Sequence, residues 1–405
     1  MKGTLWVNAR KMHELRNRTL FTVLVLAIYM LCRNVPLSGV ASDGVAAGGA
    51  DSLHFLTTLV SGDRYRMTVM ALGIAPYINA SLVVQIITAF RSASSRARVS
   101  KIRSDRQMIV VAVVFSIVMA ILQSFELTYQ ADTAPSWAVR LVVIVEMFAG
   151  AMLITFLCLQ NEKHGVGASM PVILLNILTS LVHSLDVYHF VSYPALAAVC
   201  LVAVAGTLLM ENSTIRIPLQ RVSIHNVHAD QNYLAYKRAP MGIMPVMFAA
   251  SAFLLPYYLV RMLSYYFPDS ASLSYLSDNM ALTRPLGAVV YLALILVLAV
   301  LFSLLMLNPK ETAHQLQRNG DSVIGMYAGK PTARYLTGIV LRWSLASGVL
   351  QAACMAIPLA LSLNGAIPSA LALVPASVMI LVSIVCSLAR EISTYYRYDS
   401  YRFFI

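Results

Sequence analysis

The chain has 405 residues, 59% of them hydrophobic and 12% charged, with a net charge of +12 and a mean hydropathy of +0.71. Soluble domains run at about 45–50% apolar and about 25% charged residues, so a globular soluble protein is excluded and a polytopic membrane chain with almost no extramembranous domain is expected. The basic residues are dispersed among loops, as membrane topology requires, which excludes a nucleic-acid signal and leaves anionic lipid or an acidic protein as partners for that charge.

Ten spans are predicted, at about 19–33, 66–90, 107–127, 137–158, 168–185, 193–211, 240–262, 284–307, 336–358 and 367–389. All but six of the 30 Lys and Arg residues fall on one side of that arrangement, the exceptions being Arg33, Arg64, Arg66, Arg140, Arg261 and Arg284. The positive-inside rule then puts both termini in the cytoplasm, and an even number of spans agrees.

The N-terminus is basic ahead of a short apolar run from Leu20 to Cys32. That shape also fits a cleaved signal peptide, but nine further spans in register with the charge bias argue that it is retained. After a Gly- and Ala-rich stretch, Asp51 can cap a short helix from Ser52 to Val60. This piece is too short to cross, so it is a re-entrant plug or a surface helix, and its place just before the second span favours a plug.

The second span is interrupted by Gly73, Pro76, Tyr77, Asn79, Ser81 and Gln85. A proline frees a backbone carbonyl and an amide side chain needs a partner, so this span faces protein or a pore and not lipid. A strongly basic loop leads to the third span, and the fourth carries Glu146 inside an apolar run. An intramembrane carboxylate is either a functional group or an internally paired structural one. A tight turn, Asn161 to Gly167, precedes a fifth span broken by Pro171 and Asn176. His183, Asp186 and His189 share a face near its far end, where interfacial polar residues are commoner than a metal site. The five cysteines lack CxxC spacing and read as small apolar side chains.

Two longer loops follow. Alternating apolar and polar residues on either side of Pro218 predict a hairpin between the sixth and seventh spans. Between the eighth and ninth, a helix is expected to start at Asn308-Pro309 and break at Gly320. The run Gly325 to Thr332 superficially resembles a phosphate-binding loop, but its glycines are too close, Pro331 stands where Ser or Thr is needed, and no strand precedes it. No nucleotide hydrolysis is expected of this chain.

One pattern links the halves. Gly73-Ile74-Ala75-Pro76, followed by Ala80-Ser81, is echoed five spans later by Gly242-Ile243-Met244-Pro245, followed by Ala249-Ala250-Ser251. An odd offset inverts the second copy across the membrane, and paired motifs in inverted halves mark a pathway between two pseudo-symmetric bundles. Chance recurrence in membrane helices rich in Ala, Gly and Pro accounts for four such residues about as well.

Taken together, the motifs resemble those of SecY, the channel subunit of the bacterial protein-export translocon. The matching residues are Ala71 to Gln85, Glu162 to Gly167, Arg216-Ile217-Pro218, Gly242 to Ser251, and Asn308-Pro309 with Glu311-Thr312-Ala313. They stand in the family's order and spacing over nearly the whole chain. Where a housekeeping SecY carries an Arg in the tip of the 8/9 loop, this chain has Gly325-Met326-Tyr327-Ala328-Gly329, and the glycine and asparagine before span five have become Ala168 and Ser169. The wording from Arg216 to Asn226 is similar to the accessory SecY proteins of Gram-positive bacteria, which pair with a dedicated accessory SecA motor.

The resemblance implies an all-α fold of ten transmembrane helices in two inverted five-helix halves. The N-terminal half would be 1–190, with a plug at about 51–62, and the C-terminal half 191–405, with cytoplasmic loops at about 212–239 and 308–335. It implies a pore ring of Ile74, Ile78, Leu174, Met247 and Met379, a plug with Leu56, Leu59 and Val60, and a lateral gate near Gln85 and Gln123. Motor docking would fall to Arg216, Arg221, Tyr327, Lys330 and Arg334. Implied partners are an accessory SecA-type ATPase, SecE-like and other small membrane subunits, membrane lipids and a secreted serine-rich glycoprotein cargo, at the cell membrane. No catalytic residue, metal or cofactor is implied. The alternatives are a housekeeping SecY channel and, from another class, a secondary solute transporter using Glu146 with Asp186, which predicts a charged midplane site. A lipid-acting enzyme lacks a paired carboxylate or His constellation.

Overall fold

The computed structural model describes residues 2–45, 68–90, 101–125, 127–129, 136–187, 193–221, 233–267, 271–282, 284–368 and 371–397. In chain order the first half comprises α1 (Lys2–Arg33), β1 (Val40–Val45), α2 (Ala75–Phe90), α3 (Lys101–Ser124), β2 (Leu127–Tyr129), α4 (Ser136–His164) and α5 (Met170–Val187). The second comprises α6 (Pro194–Asn212), β3 (Thr214–Arg221), β4 (Tyr233–Lys237), α7 (Met244–Tyr266), α8 (Ala271–Asn279), α9 (Pro285–Leu307), α10 (Pro309–Asn319), β5 (Asp321–Val323), α11 (Lys330–Leu363) and α12 (Val374–Arg397).

Eight of these helices, α1, α3, α4, α6, α7, α9, α11 and α12, are long and apolar enough to cross a membrane, whereas α2 and α5 supply shorter apolar helices, Ala75–Thr88 and Met170–Val182. The two short ones are the interrupted spans. Residues 69–74 form turns, with Gly73 at φ +51°, so α2 begins only at Ala75. Non-helical backbone is tolerated at membrane depth only inside protein. That condition is met here, because Met70, Ala71, Leu72 and Ile74 are buried. Gly150 of α4 makes room, since a side chain there would overlap the Val69 carbonyl. The long helices differ in how far neighbours cover them: 56% of the apolar window of α7 is buried inside the protein against 17% of that of α1.

The first half is tied together by polar contacts between spans. Tyr29 donates to Asn176 Oδ1 at 2.7 Å, Arg33 to Thr179 at 3.0 Å and Thr22 to Asn161 Oδ1 at 2.9 Å, each joining α1 to a neighbour. In the second half α9 packs along α11, where Gly348 lets the helices approach at Ala299.

At the end of the bundle away from the basic loops, β1 pairs antiparallel with β2, and α8 follows α7. At the basic end the loops form a three-stranded antiparallel sheet of order β4-β3-β5. The hairpin expected around Pro218 is present, with Thr214 opposite Lys237 and Pro218 opposite Tyr233. Beyond it, Leu219 to Arg221 switch partner to β5, with Leu219 opposite Val323. Pro218 stands at the changeover, where its missing N–H leaves no ladder bond unmade. The helix expected from Asn308-Pro309 to Gly320 is α10, and both flanking residues take left-handed conformations, at φ +39° and +75°. A small core of Ile217, Tyr236, Ala313, Leu316, Val323 and Leu336 packs sheet, α10 and the foot of α11 into one module.

Candidate functional site

The two copies of the Gly-Ile-x-Pro motif have one backbone form. Gly73 and Gly242 are left-handed, at φ +51° and +57°, and in each copy the helix starts two residues later, at Ala75 and Met244, with proline at its next position. The glycines allow the sharp entry and the prolines fit a first turn that needs no amide donor. Ala80, Ala249, Ala250 and Ser251 are all fully buried. Across the seam between α2 and α7, Ser251 donates to Asn79 Oδ1, while Asn79 Nδ2 reaches Met119 Sδ of α3 at 3.6 Å.

Between the halves, opening toward the basic end, lies a cavity of about 380 Å³. Its wall is drawn from α2, α5, α6, β4, α7 and α12 and presents Ser81, Gln85, Ser169, Glu211, Lys237 and Ser383 among apolar neighbours. Glu211 and Lys237 are an ion pair at 3.6 Å. Ile78 and Met247 also line it. Ile74, in the turn before α2, accepts from Ile78 N at 3.0 Å and so precedes it by one turn, while by helix register Leu174 lies one turn deeper than Met170 and Met379 one turn deeper than Ser383. Ile74, Ile78 and Met379 are buried, and Leu174 and Met247 pack against the same apolar cluster. The arrangement is a cavity between the halves whose mainly apolar wall, with Ile78 and Met247 in it, carries a few hydroxyl, amide and charged side chains.

Of the other predicted residues, only Gln85 joins the cavity among those described. Gln85 is partly exposed on the cavity wall and Gln123 is buried on α3. Arg216 is exposed on β3, with its guanidinium 4.8 Å from the Tyr233 ring centroid. Tyr327 is 86% exposed, and Lys330 and Arg334 are exposed on the first turns of α11, so these four side chains share the module at the basic end. The segment 51–62 with Leu56, Leu59 and Val60, and the side chains of Arg221, His183, Asp186 and His189, lie outside the described residues. Glu146 is internally paired, accepting from Ser38 N at 2.9 Å and from Ser38 Oγ, away from the cavity.

A family model described as SecY matches residues 68–389. The chain belongs to the SecY family. Among its SecY relatives, the accessory Sec system protein translocase subunit SecY2 of Leuconostoc gelidum subsp. gasicomitatum is 25% identical over 99% of each chain. The protein translocase subunit SecY of Staphylococcus epidermidis is 24% identical over 92% of each. The solved structure of a protein conducting channel superposes with a TM-score of 0.66 at 16% identity, covering 94% of this chain and 93% of that one, which gives the SecY fold.

Glu211, Gln351 and Arg390 stand outside every motif of the sequence, where Arg390 is one of the basic residues on the more charged side. The available signal was an acidic residue in the last turn of an apolar helix, where a carboxylate opposes the helix dipole and must find a cation.

Proposed function

We propose that this SecY-family chain is the pore-forming subunit of an accessory Sec translocase. It passes unfolded polypeptide, including serine-rich glycosylated surface proteins, across the cell membrane, with both termini in the cytoplasm. The observation that carries this reading is the cavity between the halves, where Ser81, Gln85, Ser169 and Ser383 stand among apolar side chains that include Ile78 and Met247. A polypeptide cannot cross hydrocarbon, because each unsatisfied backbone amide costs several kcal/mol, so the protein must supply a wet path and close it when idle. Hydroxyl and amide side chains on the wall solvate the chain, and Ile74, Ile78, Leu174, Met247 and Met379 form the constriction that excludes ions. Methionine is flexible enough to reshape around varied side chains. Lateral release of apolar segments runs through the seam between α2 and α7, beside Gln85.

The chain performs no covalent chemistry in this scheme. Energy comes from an accessory SecA-type motor that docks on the module carrying Arg216, Tyr327, Lys330 and Arg334, and SecE-like small subunits complete the complex. The accessory assignment rests on the tip from Gly325 to Gly329, which presents exposed Met326 and Tyr327, and on the likeness to a protein named SecY2. A solute transporter is disfavoured by the cavity's charges, since Glu211 and Lys237 pair with each other near the basic end, and Glu146 is satisfied by Ser38.

The test is photo-crosslinking in native membranes from Tyr327 and Arg216, each replaced by a photoreactive residue. Capture of an accessory SecA-type motor from both sites is expected. Capture of the housekeeping motor alone would reassign the chain to ordinary export, and capture of neither by a folded, abundant protein would return the transporter reading.

A further inference from the structure

The β3–β4 hairpin leaves the bundle one residue after α6 and returns to α7 through the turns at 238–243. Its base is closed by Arg238 N donating to Ser213 O at 3.0 Å, and Glu211 lies beside it, 5% exposed, at the last turn of α6. Arg390 of α12 reaches Glu211 Oε2 at 3.2 Å, the Glu211 carbonyl at 2.7 Å and Asn212 Oδ1 at 3.0 Å. Ser383, one helical turn above Met379, donates to Glu211 Oε1 at 2.7 Å. Lys237, the last residue of β4, stands 3.6 Å from Oε2. From the α7 side, left-handed Gly242 is packed so closely that a methyl group would overlap Glu211 Oε1, and its carbonyl accepts from Gln351 Nε2 of α11 at 2.6 Å.

One buried carboxylate thus gathers the hairpin, the entry of α7 and the constriction-bearing α12. Ionic groups so placed are weak contributors to stability and find their best-attested use in fixing register or switching between states. We propose that Glu211 is a positioning residue that clamps α7 in the sealed arrangement and transmits load on the hairpin to the seam between α2 and α7. This rests on the channel reading above. Tension on β4 draws Lys237 from the carboxylate, the turn at Gly242 loses its backing, and α7 swings from α2.

The experiment reads ion conductance of the full channel complex in planar bilayers without a motor, alongside motor capture from a photoreactive residue at position 327. Glu211→Gln should raise idle conductance about tenfold or more, as loss of a charged hydrogen-bond set implies, while capture stays at the unsubstituted level. Gly242→Ala disturbs the same contact from the other side and should give a similar rise. The double variant should exceed neither single one, because both act through one interaction. If Glu211→Gln fails to accumulate, Ser383→Ala removes one hydrogen bond while leaving both cations paired, and a smaller rise is expected. Idle conductance unchanged in the variants, or additive in the double one, overturns the clamp. Failure of the channel reading shows differently: the protein that keeps Glu211 and carries the photoreactive residue at position 327 then captures no motor, whatever its conductance.

Discussion

Ala168 holds a backbone conformation that its methyl group opposes, with φ at +47°. The turn is kept there by Asn161, whose Nδ2 donates to the carbonyls of Val166 at 3.1 Å and Ala168 at 2.7 Å. A left-handed alanine costs about 1–2 kcal/mol, partly offset by the greater unfolded-state entropy of glycine. Ala168→Gly should therefore raise stability by about 0.5–1 kcal/mol, measured as a higher unfolding midpoint in detergent; an unchanged or lower midpoint would show that the turn is not strained. Asn79 and Ser251 make the complementary case. Their bond crosses the α2–α7 seam, so a double-mutant cycle of Asn79→Ala and Ser251→Ala should return a coupling of about 0.5–2 kcal/mol, and zero coupling would remove the bond from the seam's energetics. At this scale the sequence was partly readable. Gly73, Pro76 and Asn79 announced an interior span, because lipid cannot satisfy them. Glu146 could not be told from a functional carboxylate until Ser38 was seen beside it, since that partner is 108 positions away.

Among the elements, the hairpin was legible because alternation on both sides of Pro218 is a strand signal that needs no tertiary context. The three residues of β5 are not, because so short a strand carries no period, and the three of β2 share that limit. What makes β5 a strand is the free edge offered by Leu219 to Arg221, a non-local fact. The module's core gives a direct test. Leu336 is fully buried at the foot of α11, and Leu336→Ala should cost about 2–5 kcal/mol locally. Faster amide hydrogen exchange in β3, β4 and β5 together is the expected readout. Acceleration confined to α11 would mean that the sheet does not depend on this core.

For the molecule as a whole, the apolar runs imply ten spans, and among the described residues eight are long helices and two are shorter apolar ones. The short pair could not be bounded from hydropathy, because the turns at 69–74 are as apolar as the helix that follows. The proposed constriction of five apolar side chains comes from the family resemblance, since each taken alone is indistinguishable from a packed core residue. Orientation is open to measurement. In a cysteine-free background, Tyr275→Cys on α8, 64% exposed, should be labelled by a membrane-impermeant maleimide added outside intact cells. Tyr327→Cys should be labelled only after the cells are opened, and the reverse pattern would invert the topology.

The sheet that joins the two basic loops bears on how a partner can bind. Flexible loops must each lose conformational entropy when they are gripped, and that loss subtracts from affinity. Here the ordering has already taken place during folding, because β3 pairs with β4 in its first half and with β5 in its second. A protein that touches the paired strands of both loops therefore meets a preformed surface. Its dwell time is set by the contacts it makes, and its on-rate is free of any wait for the loops to find each other.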